Sequence, residues 1–315
     1  IIRPDGVETR RQMGATGRVQ AITDGEGRQT SYRYGPYNVL EEITDPKGGK
    51  LRFQYDSQER LTCVTNQMGL HWVFERDLVG RVVRETDFDG RTLRYGYDAG
   101  GRVIRRDNPD GGHLEYDYDR SGLLLELRAF APGGRTPLIT TYAYDDNGAL
   151  IAAKNADADI TLERDALGRV IAEIVNGQRI ESDFDCCGRR VERRIGDQIL
   201  RMRYDGMGGL LEWQLDDHAP LTFIRDEMGQ ERRRASPLGF SLESDWDAVG
   251  QLTRQKGPGI QRDYDWTRAY EPLTITDARW GEKRYDYDPN GQITRTRYGD
   301  GGAERFAYSP DLNIA

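Results

Sequence analysis

A tyrosine–aspartate pair returns along this 315-residue chain at a nearly constant step. A step held over the whole length marks a repeat array, and it constrains the fold more than any single residue does. The clear copies are Tyr55-Asp56, Tyr97-Asp98, Tyr118-Asp119, Tyr144-Asp145, Tyr204-Asp205, Tyr264-Asp265 and Tyr287-Asp288. Arg76-Asp77, Arg164-Asp165, Phe184-Asp185, Arg225-Asp226 and Trp246-Asp247 are variants of the same slot. From Asp56 to Asp288 the successive aspartates lie 21, 21, 21, 26, 20, 20, 20, 21, 21, 18 and 23 residues apart. Gly14 and Gly35 hold the slot upstream, and Ser309 holds it downstream.

One repeat reads as a hairpin. Tyr95 and Tyr97 lie two apart, so they share one face of a strand. Asp98 suits the first turn position, because its side chain accepts the N–H two residues on. Gly101 supplies the positive φ that closes the turn. Arg102–Arg106 reads as the return strand, and Asp107–Gly111 as a second turn. The aromatic pair recurs as Phe53/Tyr55, Trp72/Phe74, Tyr116/Tyr118, Tyr142/Tyr144, Tyr285/Tyr287 and Phe306/Tyr308. The turn recurs at Asp119–Gly122, Asp145–Gly148, Asp205–Gly208 and Asp288–Gly291, among others. Removing two turns leaves about six residues per strand, the common length. Asn176-Gly177 and Gly196-Asp197 are two-residue hairpin signals. The step of 26 contains a surface loop over Pro132–Pro137. Tyr264–Arg268 lacks the turn glycine, which predicts an irregular hairpin; one displaced turn accounts for the steps of 18 and 23. Helical periodicity is absent.

About 14 repeats give about 28 strands, and at roughly 4.8 Å per strand a flat sheet would be about 130 Å wide. Open sheets rarely exceed about ten strands. The sheet must curl, and a curl of many more than about eight strands leaves a lumen. The expected fold is all-β: an array of antiparallel β-hairpins coiling into part of a large hollow barrel or cocoon shell. Residues 1–315 are expected to form a single array. Both ends fall inside the repeats, so the chain reads as a fragment of a larger shell.

Composition narrows the function. Hydrophobic residues make up 37%, below the usual level of about 45–50%, so the core is thin. The net charge is −8 and the basic residues are dispersed, which argues against a nucleic-acid binder. No apolar run approaches the roughly 18 residues of a membrane span. Ile1-Ile2-Arg3-Pro4 carries no signal-peptide pattern. Cys63, Cys186 and Cys187 are odd in number and lack framework spacing, so they are expected as free thiols.

His71, His113 and His218 share no motif, and no nucleophile elbow, zinc helix or phosphate loop occurs. Asp286–Gly291 and Asp117–Gly122 resemble half of a calcium loop. Arg297 and Arg128 stand where its glutamate would be, so both read as repeat turns. Asp157 and Asp159 read as surface residues on one strand face. Trp72, Trp213, Trp246, Trp266 and Trp280 could stack sugars, but cross-strand aromatic pairing explains them as well. No catalytic, cofactor or metal residue is assigned, and no enzymatic activity is expected. The residues that matter are structural: the Tyr, Asp and Gly of each slot.

The pattern Tyr-x-Tyr-Asp-x-x-Gly-Arg-Val, whole in Tyr95–Val103 and looser in Tyr116–Leu123 and Tyr285–Ile293, resembles the YD repeat of the RHS family. The resemblance covers essentially the whole chain. The family includes bacterial RHS toxins, the BC shell of insecticidal toxin complexes and the teneurins. The resemblance implies a β-strip coiled into a hollow shell that, in bacterial members, encloses a toxic C-terminal domain. It implies a structural encapsulation segment, made in the cytoplasm and secreted or injected, in many members by type VI secretion. The implied partners are the remainder of the shell, the enclosed toxin domain and a secretion spike protein; no cofactor is implied. Asp288-Pro289 shares the Asp-Pro of the family's self-cleaving segment. It stands in an ordinary slot with no glycine-rich segment after it, so no catalytic aspartate is carried over. The alternative is a cell-surface adhesive or carbohydrate-binding module that meets a surface glycan through Trp213 or Trp280.

Overall fold

From Gly14 to Ser309 the backbone closes every slot with one hydrogen-bond pattern. In the computed structural model, which describes residues 1–314, Asp98 shows it plainly. Its N–H donates to the Arg102 carbonyl at 3.0 Å, and the Gly101 N–H donates to the Asp98 carbonyl at 3.1 Å. Gly101 sits at φ 84°, where a side chain costs about 1–2 kcal/mol. The Asp98 carboxylate accepts the Arg102 N–H at 2.9 Å and its Nε at 2.7 Å. The same clamp forms at Asp56/Arg60, Asp77/Arg81, Asp165/Arg169 and Asp185/Arg189. The slots at Gly14, Gly35 and Ser309 close likewise without an aspartate. The motif hairpins between paired strands carry a register shift at the turn: Val103 faces Tyr97, but Arg105 faces Gly96. Such a bulge bends and twists the strand locally.

One expected hairpin is corrected. Strand Ile260–Trp266 runs straight through Tyr264-Asp265, and the turn is Thr267–Tyr270. The Thr267 hydroxyl takes the aspartate's part, accepting the N–H of Ala269 at 3.2 Å and of Glu271 at 3.1 Å. Tyr270 takes the glycine's part at φ 68°. The slot is therefore Trp266-Thr267, and the hairpin is regular.

Among the described residues there are twenty-nine strands of three to seven residues, with one 3₁₀ turn at Pro36–Asn38. Within each unit, strands consecutive in sequence pair antiparallel, as in His113↔Phe130 and Asp117↔Glu126. The two-residue turns form as expected: Val175 faces Gln178 across Asn176-Gly177, and Ile195 faces Gln198 across Gly196-Asp197. Residues 131–137 form the expected loop. The described residues divide into two compact units, residues 1–71 with 221–314, and residues 72–220. Each is a meander of hairpins.

Burial alternates along the motif strands. Leu51, Phe53 and Tyr55 are half-buried, while Lys50, Arg52 and Gln54 are exposed. Among the described residues only Val7, Ala21, Ala172 and Phe223 are buried apolar residues, and no large side chain is fully buried. This is a sheet without a second layer. Cross-strand ion pairs line the exposed face, such as Arg84–Glu75 at 3.0 Å and Arg254–Asp263 at 2.8 Å. At such exposure each pair contributes under about 1 kcal/mol.

The motif tyrosine braces one hairpin against the hairpin before it. Its hydroxyl donates to a carbonyl at the start of the preceding return strand: Tyr97 to Val82 at 2.6 Å, Tyr118 to Val103 at 2.9 Å, Tyr287 to Pro272 at 2.6 Å. Trp246 and Trp266 make the equivalent bond through Nε1 at 2.9 and 2.8 Å. Arg164 does so through Nε at 3.2 Å. The slot tolerates these residues because each brings a donor of sufficient reach. Tyr97→Phe keeps the ring and removes the donor, so it should lower stability by about 1 kcal/mol in urea unfolding. An unchanged midpoint would leave the hydroxyl without a structural part.

Candidate functional site

Arginines that follow several of the motif turns reach two slots at once. Arg102 holds its own Asp98, donates through Nη1 to the Asp119 carbonyl at 2.8 Å, and lies 5.1 Å over the Tyr118 ring. Arg81 does the same toward Asp98 and Tyr97, Arg169 toward Asp185 and Phe184, and Arg189 toward Asp205 and Tyr204. Sequence reasoning missed this line of contacts. The signal was present as an arginine four residues after the motif aspartate.

The clamp fixes the ionisation of these aspartates. The Arg60 guanidinium, helped by the Arg60 N–H, brings Asp56 down to about 2. Asp98 and Asp185 are lowered first by a backbone N–H and then by the arginine side chain; Asp165 is lowered first by the Arg169 side chain. A carboxylate depressed in the fold stabilises it above the unfolded pKa and ceases to do so as pH falls through the folded one. The turns should therefore weaken between about pH 4 and about pH 2. Far-UV circular dichroism during acid titration checks this; full β-signal below pH 2 would contradict it.

The strongest candidate for a site with a function lies within the first unit. There two rows of turns far apart in sequence meet. The turns at Asp24 and Asp45 are connections between hairpins; those at Thr267 and Asp288 are motif slots. The two rows belong to opposite edges of the meander. Arg28 bridges them: Nε holds Asp24 at 2.7 Å and Nη1 holds Glu271 at 2.8 Å, with the Arg28 side chain only 15% exposed. One step further, Lys47 Nζ meets Asp288 at 2.9 Å, and the Lys47 N–H donates to Asn290 Oδ1 at 3.2 Å. The Arg268 N–H donates to Glu26 Oε1 at 2.7 Å. The Tyr270 hydroxyl donates to Asp5 at 2.9 Å, under the Arg3 guanidinium 4.1 Å from its ring.

The hydrogen-bonded partners are separated by 241 to 265 residues. Burial raises the pKa of Asp288, but Lys47 and two turn N–H groups outweigh it and hold the carboxyl below the usual range. Open clefts of ≈ 460 and ≈ 320 Å³ flank Arg28. In this seam each carboxylate already accepts from a cation, an N–H or a hydroxyl. Such an arrangement joins two edges; it offers no free acid or base.

The other residues singled out in the sequence are scattered. His71 Nδ1 lies 3.0 Å from the Thr65 hydroxyl and 3.7 Å from Cys63 Sγ. His113 stacks on Phe130 at 4.3 Å, and His218 sits in a turn. Arg128 holds Asp117 at 2.8 Å, and Arg297 holds Asp286, so a cation occupies each half-loop that resembled a calcium site. Asp159 pairs with Lys154, and the Asp157 carbonyl accepts from Asn176 Nδ2 at 3.2 Å. Among the described residues no group of three His, Cys, Asp or Glu is placed to hold a metal. No helix among them is long and apolar enough to cross a membrane.

Residues 5–136 match the family described as Teneurin YD-shell. The chain is 32% identical over 157 residues to Probable deoxyribonuclease RhsB of Dickeya dadantii (strain 3937), covering 46% of this chain and 10% of that protein. Toxin protein Tse5 of Pseudomonas aeruginosa is 30% identical over 204 residues, covering 59% and 15%. Over these residues the chain is similar to proteins of the RHS/YD-repeat family. Its fold is that of the chain in a crystal structure of TcdB2-TccC3-TEV, at TM-score 0.78 and 13% identity over 97% of this chain and 21% of that one. The chain thus spans about a tenth of the curated relatives' length. Among the aspartates named from the sequence, Asp56 and Asp98 hold an arginine, while Asp119, Asp145, Asp205 and Asp288 accept turn N–H groups.

Proposed function

We propose that the chain is a wall segment of a YD-repeat shell that encloses a toxic C-terminal domain, and that it has no catalytic activity of its own. The observation that carries this reading is how unlike its relatives are. A probable deoxyribonuclease and a double-stranded DNA deaminase toxin of Burkholderia cenocepacia both match it over nearly the same length of repeats. Relatives with unlike reactions that match this chain over similar lengths favour a carrier role for the hairpins. A single-layer sheet joined edge to edge by ion pairs supports the same role. The mechanism is exclusion, with a hydrogen-bonded wall between the toxic domain and the cell that makes it. The partners on this reading are the remainder of the shell, the enclosed domain and, for export by type VI secretion, a spike protein.

Limited proteolysis of the full-length polypeptide tests the enclosure. Its C-terminal domain should resist cleavage until the wall is breached. Cleavage as fast as that of the isolated domain would sink the proposal. Export that persists in a producer lacking the secretion sheath would remove the type VI step alone.

A second reading rests on Trp280. This indole is 68% exposed and borders a cleft of ≈ 240 Å³ with Tyr264, Tyr285, Arg262 and Asp277. Such a cleft suits one sugar ring. Glycan-array binding lost on Trp280→Ala would favour a carbohydrate-binding module; an array without signal would exclude it.

A further inference from the structure

The tip of the Asp185 turn carries two consecutive exposed cysteines, Cys186 and Cys187. The repeat does not require them: the same two positions hold Ser57-Gln58, Ala99-Gly100 and Glu227-Met228 in other slots. The turn beneath them is held firmly. Asp185 Oδ1 accepts the N–H groups of Cys187 and Arg189 at 2.9 Å each, and its Oδ2 holds Arg189 Nε at 2.7 Å. The neighbouring Cys186 thiol raises the pKa of the Cys187 thiol above its ordinary value.

Geometry narrows what such a pair can do. Consecutive Cα atoms across a trans peptide lie about 3.8 Å apart, and no peptide among the described residues is cis. Unstrained disulfides need Cα atoms at roughly 4.4–6.8 Å. A disulfide between these neighbours is therefore strained and easily reduced. A two-coordinate clasp on one larger atom is free of that constraint. Zinc needs four ligands, and no third His, Cys, Asp or Glu completes a cluster here among the described residues. The fitting guest is soft, prefers sulfur and brings its own remaining ligand.

We propose that Cys186 and Cys187 form a dithiol site for a thiophilic trivalent centre with one substituent of its own, of the monosubstituted arsenic(III) class. The reaction is a condensation. Two S–H bonds and the As=O bond break, two As–S bonds form, and both thiol protons leave with the oxygen as water. No oxidant or reductant is consumed. Two-point attachment should exceed one-point attachment by about a hundredfold or more, the usual gain of linked sites.

The test uses the reduced 315-residue chain and phenylarsine oxide as the probe. One equivalent should bind per chain by intact-mass measurement, and titratable thiols should fall from three to one. Cys186→Ser and Cys187→Ser should each lower affinity about a hundredfold, while Cys63→Ser should leave it unchanged. All three side chains can be replaced without touching a turn hydrogen bond, and circular dichroism will show that the fold persists. Binding that survives either Cys186→Ser or Cys187→Ser, or that is lost in Cys63→Ser, would overturn the proposal.

Discussion

Gly25→Ala should part the two rows of turns while leaving the hairpins themselves folded. A Cβ built on Gly25 lies 2.0 Å from the Arg268 carbonyl oxygen and 2.6 Å from Val7 Cγ1. The first obstacle is backbone, so no rotamer change relieves it. Overpacking costs about 1–3 kcal/mol where neighbours can shift and more where they cannot. The expected loss is about 3 kcal/mol of seam stability, at the upper end of that range. Gly27→Ala is the control, because nothing lies within 4 Å of its Cβ. It bears only the strain of its φ of 82°, about 1–2 kcal/mol. Hydrogen exchange reads the difference. The Arg268 and Lys47 amides, bonded to Glu26 and Asn290 across the seam, should lose protection in Gly25→Ala and keep it in Gly27→Ala. Equal protection in both variants would contradict the contact.

Arg28→Ala should have the second-largest effect. It strands two carboxylates, Asp24 and Glu271, that now share one guanidinium. Removing one partner of a fully buried pair costs about 3–5 kcal/mol. Here the side chains keep 15–32% exposure, so water restores part of that and about 2–3 kcal/mol is expected. Arg254→Ala breaks the Arg254–Asp263 pair, whose side chains are 58% and 43% exposed. It should cost far less than Arg28→Ala, because an exposed pair is screened by water. The ordering of these two losses in urea unfolding is the informative result. An Arg254 loss equal to that of Arg28 would mean that the seam pair is an ordinary surface pair. A double-mutant cycle of Arg28→Ala with Glu271→Ala should show coupling above about 0.5 kcal/mol.

The hairpins were legible because their chemistry is local. An aspartate, a glycine three residues on and paired aromatics two apart suffice to write each turn and strand. The same habit misplaced one slot. Asp265 looks like a motif aspartate, and neither Thr267 nor Tyr270 looks like a turn residue. A hydroxyl can nonetheless accept the two N–H bonds, and a tyrosine can be held at positive φ once its ring is tied to Asp5 and Arg3. The seam was illegible for another reason. Lys47, Glu26 and Glu271 are charged residues in turns, as many others are, and a period along the chain says nothing about which turns meet. Only the fold brings residues some 240 positions apart into contact. The brace and clamp lay between these cases. The tyrosine, aspartate and arginine were visible as a pattern, but their bonds run to neighbouring hairpins and needed coordinates.

Thiol cross-linking across the seam is the most direct measurement. Cys63, Cys186 and Cys187 would be replaced by serine, and Lys47→Cys and Asn290→Cys introduced at a place where the wild-type residues bond at 3.2 Å. A Glu75→Cys/Arg84→Cys pair on facing strands, whose natural side chains meet at 3.0 Å, sets the reference rate. A short bifunctional thiol reagent should bridge 47 and 290 within one chain about as readily as the reference pair. Bridging of the reference pair alone, or of 47 and 290 only between separate chains, would show that these two edges do not meet.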